Sequence, residues 1–222
     1  MMVDPREVPA YDPAEAAHYL HLPSTTVRNW AHGNDHFRCV VSLPSRNATL
    51  LSFMNLVEIH VLSAIRRHHK IPMQKVRRAI AYLQRHSDHV HPLAMHEFET
   101  DGVDLFIQEL DKTVNVVREG QVAMRNVIEA HLRRIEWDRE GMPAVLYPFV
   151  SPDISIARKP VMFDPRIEFG RLVLVNTGIP TVEIAQRYKA GESIDGLADD
   201  YGRKRLEIED AIRCELRLAA AA

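Results

Sequence analysis

The 222 residues carry 28 Lys and Arg against 30 Asp and Glu, a net charge of −2, and 46% are hydrophobic. That balance excludes a protein that binds nucleic acid through bulk positive charge, and it leaves apolar material for one or two cores, with two small domains the expectation. No run approaches 18 apolar residues, and Cys39 and Cys214 have no metal-ligand spacing; the expectation is a reduced, cytoplasmic protein with no disulfide framework, no membrane-spanning helix and no signal core in MMVDPREVPAYDP. The charge is uneven: residues 1–91 hold 11 Lys/Arg and 7 Asp/Glu, a balance of +4, and residues 92–222 hold 17 and 23, a balance of −6. Different partners for the two parts follow from that asymmetry.

In chain order, Asp12-Pro13-Ala14-Glu15 reads as a helix start, with Asp12 as cap and Pro13 in the first helical position. Ala16, Ala17, Tyr19 and Leu20 face inward, and His21-Leu22-Pro23 turns the chain. Ser24 is a natural cap for a second helix that runs to about His32 and ends at Gly33. Val27, Trp30 and Ala31 fall on one face at helical spacing, which leaves Thr25, Arg28, Asn29 and His32 on the other. Two short helices joined this way form a helix-turn-helix, whose second helix can enter a major groove.

Two β-rich runs, Phe37–Ser42 and Thr49–Leu51, flank Pro44-Ser45-Arg46-Asn47. They predict a hairpin, a wing with Arg38 and Arg46 set to meet phosphate. Ser52 then caps an apolar helix, FMNLVEIHVLSAIRRHH, broken at Ile71-Pro72, and MQKVRRAIAYLQRH makes a fourth helix with Val76, Ile80 and Leu83 inward. Residues 87–93 read as an exposed His-rich loop. Asp101-Gly102 between apolar runs predicts a second hairpin within 95–117, and Gln121 to about Arg139 a helix closed by Gly141 and Pro143. Strands are expected at Ile154–Ile156 and Ile167–Val175. Thr181 caps the next helix, and two more helices follow, separated at Gly191 and Gly202.

The expected fold is therefore mainly α with small β elements (α+β). A winged helix-turn-helix occupies 1–91, a β-hairpin and connecting helix 92–150, and a small helix-turn-helix module 151–222. The stretch YDPAEAAHYLHLPSTTVRNW, the wing, Leu51-Ser52-Phe53 opening an apolar helix, Arg66-Arg67 and Lys75-Val76-Arg77-Arg78 resemble the winged helix of MerR-type regulators. Asp164-Pro165-Arg166-Ile167, Phe169-Gly170-Arg171, Thr177-Gly178-Ile179-Pro180-Thr181, Ala190-Gly191-Glu192-Ser193 and Leu197-Ala198-Asp199-Asp200-Tyr201 resemble domain of unknown function 433. That family usually has Gly-Lys-Pro and Gly-Thr-Arg where this chain has Gly170-Arg171-Leu172 and Asn176-Thr177-Gly178. The combination resembles a VapB-type antitoxin. The resemblance implies pairing with a PIN-like ribonuclease toxin and repression of its own operon.

The candidate DNA-binding residues are Ser24, Thr25, Thr26, Arg28, Asn29 and His32 on the second helix, with Arg38 and Arg46 from the wing. Asn can bond adenine in two places and Arg guanine, while Thr and Ser suit phosphate or a thymine methyl. The ordinary alternative is a polar helix in a helical domain. Trp30 is assigned to the core, not to base stacking. Two half-sites, hence a homodimer bound to operator DNA, would supply specific affinity. In the back module Arg203-Lys204-Arg205 could meet phosphate, but Glu192, Asp195, Asp199, Asp200, Glu207, Glu209 and Asp210 crowd it, and a dimerisation or toxin-docking role is preferred there. His86, His89, His91 and His96 match no standard metal spacing. No Walker loop, Gly-x-Ser-x-Gly or dinucleotide fingerprint is present; the expectation is no enzyme, no cofactor and no membrane partner. The alternatives are a free-standing MerR-like regulator that senses a ligand or metal, and an interaction scaffold without DNA affinity.

Overall fold

A computed structural model describes residues 3–34, 38–45, 48–68, 72–114, 118–151 and 158–216, without the side chains of 66–68, 111, 113, 114, 118 and 119. The chain divides into two compact units, Met1–Ala144 and Val145–Ala222.

In the first unit, the Asp12 carboxylate accepts from the Ala14 N–H at 2.7 Å and opens α1, Pro13–Tyr19. His21, at φ 55, turns the chain into α2, Ser24–His32, which Gly33 ends at φ 74. Pro23 occupies the cap position of α2, and no side chain caps it, so Ser24 is the first helical residue and not the cap. Ala16, Ala17, Tyr19 and Leu20 of the α1 segment are buried, as are Val27, Trp30 and Ala31 of α2.

The expected wing differs. Among the described residues, 38–45 and 48–50 hold no strand; Phe37, Arg46 and Asn47 lie outside the described residues. The backbone N–H groups of Val40 and Val41 donate instead to the Trp30 carbonyl at 2.7 and 3.2 Å. An orphan carbonyl of the last turn of α2 thus takes the donors that a hairpin ladder would need. Leu51 closes the segment by bridging to Tyr11.

Ser52 and Asn55 cap α3, Phe53–His68, reciprocally: Ser52 Oγ accepts from Asn55 N at 3.3 Å, and Asn55 Oδ1 accepts from Ser52 N at 3.1 Å. Every residue of α3 from Phe53 to Ile65 is buried, so it is the central helix of the unit. α4, Met73–His86, buries Val76, Ala79, Ile80 and Leu83 along one face.

The hairpin expected at Asp101-Gly102 is a helix. Phe98–Gly102 forms a π-helical turn that continues into α5, Val103–Val114. Val103, Phe106, Ile107 and Leu110 are buried at a spacing of three and four that suits a helix and not a strand, with Phe98 buried on the π turn before them. Gly102 serves close approach, since a Cβ there would stand 2.7 Å from Cδ2 of Phe98. α6, Arg118–Leu132, stops short of the expected Arg139. Asp138 accepts from the N–H groups of Glu140 and Met142, both at 2.9 Å, and turns the chain between β1, Ile135–Trp137, and β2, Pro143–Leu146. Residues 87–93 are not a wholly exposed loop: His91 is buried and Pro92–Ala94 is a buried 3₁₀ turn.

In the second unit, β3, Val161–Phe163, pairs antiparallel with β4, Leu172–Leu174, in the register Val161↔Leu174, Met162↔Val173 and Phe163↔Leu172. Leu146 pairs antiparallel with Phe163. Ile154–Ile156 lies outside the described residues. The strand expected over Ile167–Val175 shrinks to β4 because Glu168–Gly170 is a 3₁₀ turn. Three helices follow: α7, Thr181–Lys189, α8, Ile194–Tyr201, and α9, Arg205–Leu216. Ser193 caps α8 by accepting from Gly196 N at 3.0 Å, and Gly202 ends it at φ 62. Thr181 does not cap α7. Pro180 stands at that position, and the buried Thr181 hydroxyl donates to Glu215 Oε1 at 2.5 Å.

Candidate DNA-recognition helix

The sequence of α2 separates its two faces. Val27, Trp30 and Ala31 anchor it from beneath, while Ser24, Thr25, Arg28, Asn29 and His32 are exposed together. Thr26 departs from the expected set. It is 8% exposed, because it lies four residues before Trp30 and so shares the anchoring face. Arg38 is exposed, away from any described strand, and Arg46 lies outside the described residues. The structure therefore brings five of the expected residues onto one helix face, turns Thr26 inward and leaves Arg38 in no strand among the described residues.

Beside α2 runs a groove of about 380 Å³ lined by Thr26, Asn29, Met73, Gln74 and Arg77, among others. Its far wall is the first turn of α4, which follows Pro72 and has no side-chain cap. The N-terminal end of a helix carries partial positive charge and unsatisfied N–H groups, a setting that favours anions. Arg77 adds a guanidinium and ties the wall to the loop after α2, its Nε donating to the Arg38 carbonyl at 3.2 Å. None of the described residues lining this groove is acidic. Pro72 just before this helix is the signal in the sequence that marks its end as a candidate anion site.

The back module is built differently. Arg187 is held by Glu192 at 2.5 Å and Asp200 at 2.6 Å, and Arg203 by Glu207 at 2.8 Å. Arg205 pairs with Glu209 at 2.8 Å and with Asp195. These cations neutralise neighbouring carboxylates within the module.

The histidines of 86–96 have separate partners. His86 Nδ1 lies 2.8 Å from the Tyr82 carbonyl, and His89 and His96 approach Glu97 and Glu99 at 3.6 and 3.5 Å. His91 is buried against Glu58, with Nδ1 to Oε2 at 2.8 Å, and Glu7 stands 3.6 Å from its other ring nitrogen. Burial alone would depress the His91 pKa, but its hydrogen bonds to Glu58 and Glu7 prevail and raise it to about 9. The sequence reading missed this site, although Glu58 stands as the lone acid in an apolar helix. No group of three or more His, Cys, Asp or Glu among the described residues could hold a metal ion, and no described helix is long and apolar enough to cross a membrane.

Residues 9–80 match a family model described as "Putative DNA-binding HTH domain", and residues 161–213 match "Protein of unknown function (DUF433)". The chain is 25% identical over 230 residues to "Putative antitoxin VapB45" of Mycobacterium tuberculosis, covering 93% of each protein. It is 26% identical over 222 residues to "Uncharacterized protein Rv2308" of the same organism, covering 93% of this chain and 89% of the other. The crystal structure of Rv2018 from Mycobacterium tuberculosis superimposes with a TM-score of 0.70 at 24% identity, over 92% of this chain and 98% of that one. The likeness to Rv2018 is one of fold.

Proposed function

We propose that this chain is a DNA-binding antitoxin of VapB type: it contacts operator DNA through α2, neutralises a PIN-like ribonuclease toxin and represses its own operon, as a homodimer without catalytic activity of its own. The observation that carries the reading is the exposed face of Ser24, Thr25, Arg28, Asn29 and His32 standing on a helix braced by Trp30. The match of residues 9–80 to a helix-turn-helix model and the likeness to a protein named as an antitoxin support it. Arg28 and Asn29 read base edges, and the groove beside α4 takes a phosphate through the α4 N-terminus, Gln74 and Arg77. Arg38 adds a backbone contact. The back module, in which Arg187, Arg203 and Arg205 pair with neighbouring carboxylates, serves protein contacts.

The test is operator binding with and without Arg28. Arg28→Ala should lower affinity for the operator by about 1–3 kcal/mol while random duplex loses less. Equal losses on both duplexes in a titrated gel shift would reduce Arg28 to a phosphate contact. Co-expression with the adjacent gene product tests the toxin assignment, because an antitoxin must co-elute with its toxin and abolish its ribonuclease activity.

A further inference from the structure

We propose that the cavity between the C-terminal end of α4 and the π-helical turn before α5 is a binding site for a small organic cation. The cavity is about 170 Å³, the size of one substituted ring, and Leu83, Pro92, Phe98 and Leu105 give it apolar walls. Phe98 is fixed from two sides: it meets Phe106 edge-to-face at 6.1 Å, and it lies against Gly102, where any Cβ would come within 2.7 Å of the ring. Leu105, 39% exposed, leaves the mouth open to solvent. π-helical turns are rare and recur at functional sites, because the wide turn re-aims the side chains around it.

The rim decides the class of ligand. Glu97 and Asp101, four residues apart on this turn, both line the cavity. Among the described residues neither carboxylate has a Lys or Arg partner: Glu97 approaches His89 at 3.6 Å, and Asp101 accepts from the Thr100 hydroxyl at 3.5 Å. Nearby carboxylates on α5 are matched, Asp104 by Arg125 and Glu109 by Lys112. Two carboxylates without a Lys or Arg partner, against His86 as the one basic residue of the described lining, make the rim favour an ammonium group over a carboxylate or phosphate. The ligand is thus a ring or short hydrocarbon with one ammonium arm. This site does not depend on the DNA-binding reading, although α4 borders both the cavity and the groove beside α2.

Calorimetric titration of the full chain, without DNA, tests the site with benzylammonium and cyclohexylammonium as cations and with benzyl alcohol and benzoate as neutral and anionic controls. The expected result is saturable cation binding with a Kd of about 1 mM or tighter, about tenfold weaker binding of benzyl alcohol, and none of benzoate. Asp101→Asn should bring benzylammonium down to the level of benzyl alcohol, and Leu105→Trp should fill the cavity and abolish both. Asp101→Asn is an exposed change, so the charge test survives even if Leu105→Trp fails to fold. The proposal is overturned if neither cation saturates, if the controls bind as well as the cations, or if Asp101→Asn leaves the cation's Kd unchanged. A concentration-dependent dimer dissolved by Asp101→Asn would also overturn it, since a basic side chain of a second copy would then be the occupant.

Discussion

Glu168 and Phe169 hold φ of 47 and 56, a left-handed region that L side chains occupy at a cost, and Phe169 is 92% exposed, so its ring gains nothing from burial. Phe169→Gly should therefore stabilise the protein by about 1 kcal/mol, visible as a raised midpoint in thermal unfolding. His91 presents the opposite case. Its imidazolium is sandwiched between Glu58 and Glu7, and removing it as His91→Gln leaves Glu58 buried without its counter-charge, a loss of about 3–5 kcal/mol. The sign of the pH effect follows from the upward shift. The stabilisation is full below the unfolded pKa of about 6.5 and is lost as pH rises through about 9. Denaturant unfolding of the native chain between neutrality and pH 9 should show that decline, and His91→Gln should flatten it. The histidine was plain in the sequence, but its partner lies 33 positions away, and no local pattern announces a pair at that separation.

Periodicity held where one face of a helix was buried and one was wet. α1, α2 and α4 have the inward residues that spacing of three and four assigns. It failed where turn chemistry competed with a continuing helix. Asp101-Gly102 carries a hairpin signature, yet Gly102 sits there to let the Phe98 ring approach the backbone. The helix expected to reach Arg139 stops at Leu132, and Ile135–Trp137 forms a strand instead. The wing failed for a third reason: Val40 and Val41 had a better acceptor in the Trp30 carbonyl than in any facing strand. In the back module, the ladder of Arg187, Arg203 and Arg205 with acidic neighbours spends each cation inside the unit. Exchange of Arg203, Lys204 and Arg205 together for Ala should consequently leave operator affinity within about twofold in a gel shift while weakening toxin capture. Loss of operator binding would move DNA contact to this module.

At the scale of the molecule, the excess of +4 in residues 1–91 is too small to drive association by itself, so affinity must come from a few placed contacts doubled by two half-sites. Operator affinity should fall steeply with salt, each neutralised phosphate adding about 0.9 to the slope of log K against log salt. Arg77→Ala should lower that slope by about one contact while sequence preference persists, if the groove beside α4 holds a phosphate. An unchanged slope would empty the groove of that role.

The composition and spacing alone determined that this chain is mainly helical, that a pair of short helices near its start carries Trp30 inward and Arg28 and Asn29 outward, and that its charge is divided between front and back. Those properties depend on neighbours within a turn or two, which a sequence displays directly. Tertiary structure alone decided that Thr26 faces in, that Val40 and Val41 cap α2, that His91 meets Glu58, and that the first turn of α4 lies across a groove from Asn29. Each of these joins residues distant along the chain, and which of several available partners a donor or a charge takes is settled only when packing brings one of them within reach.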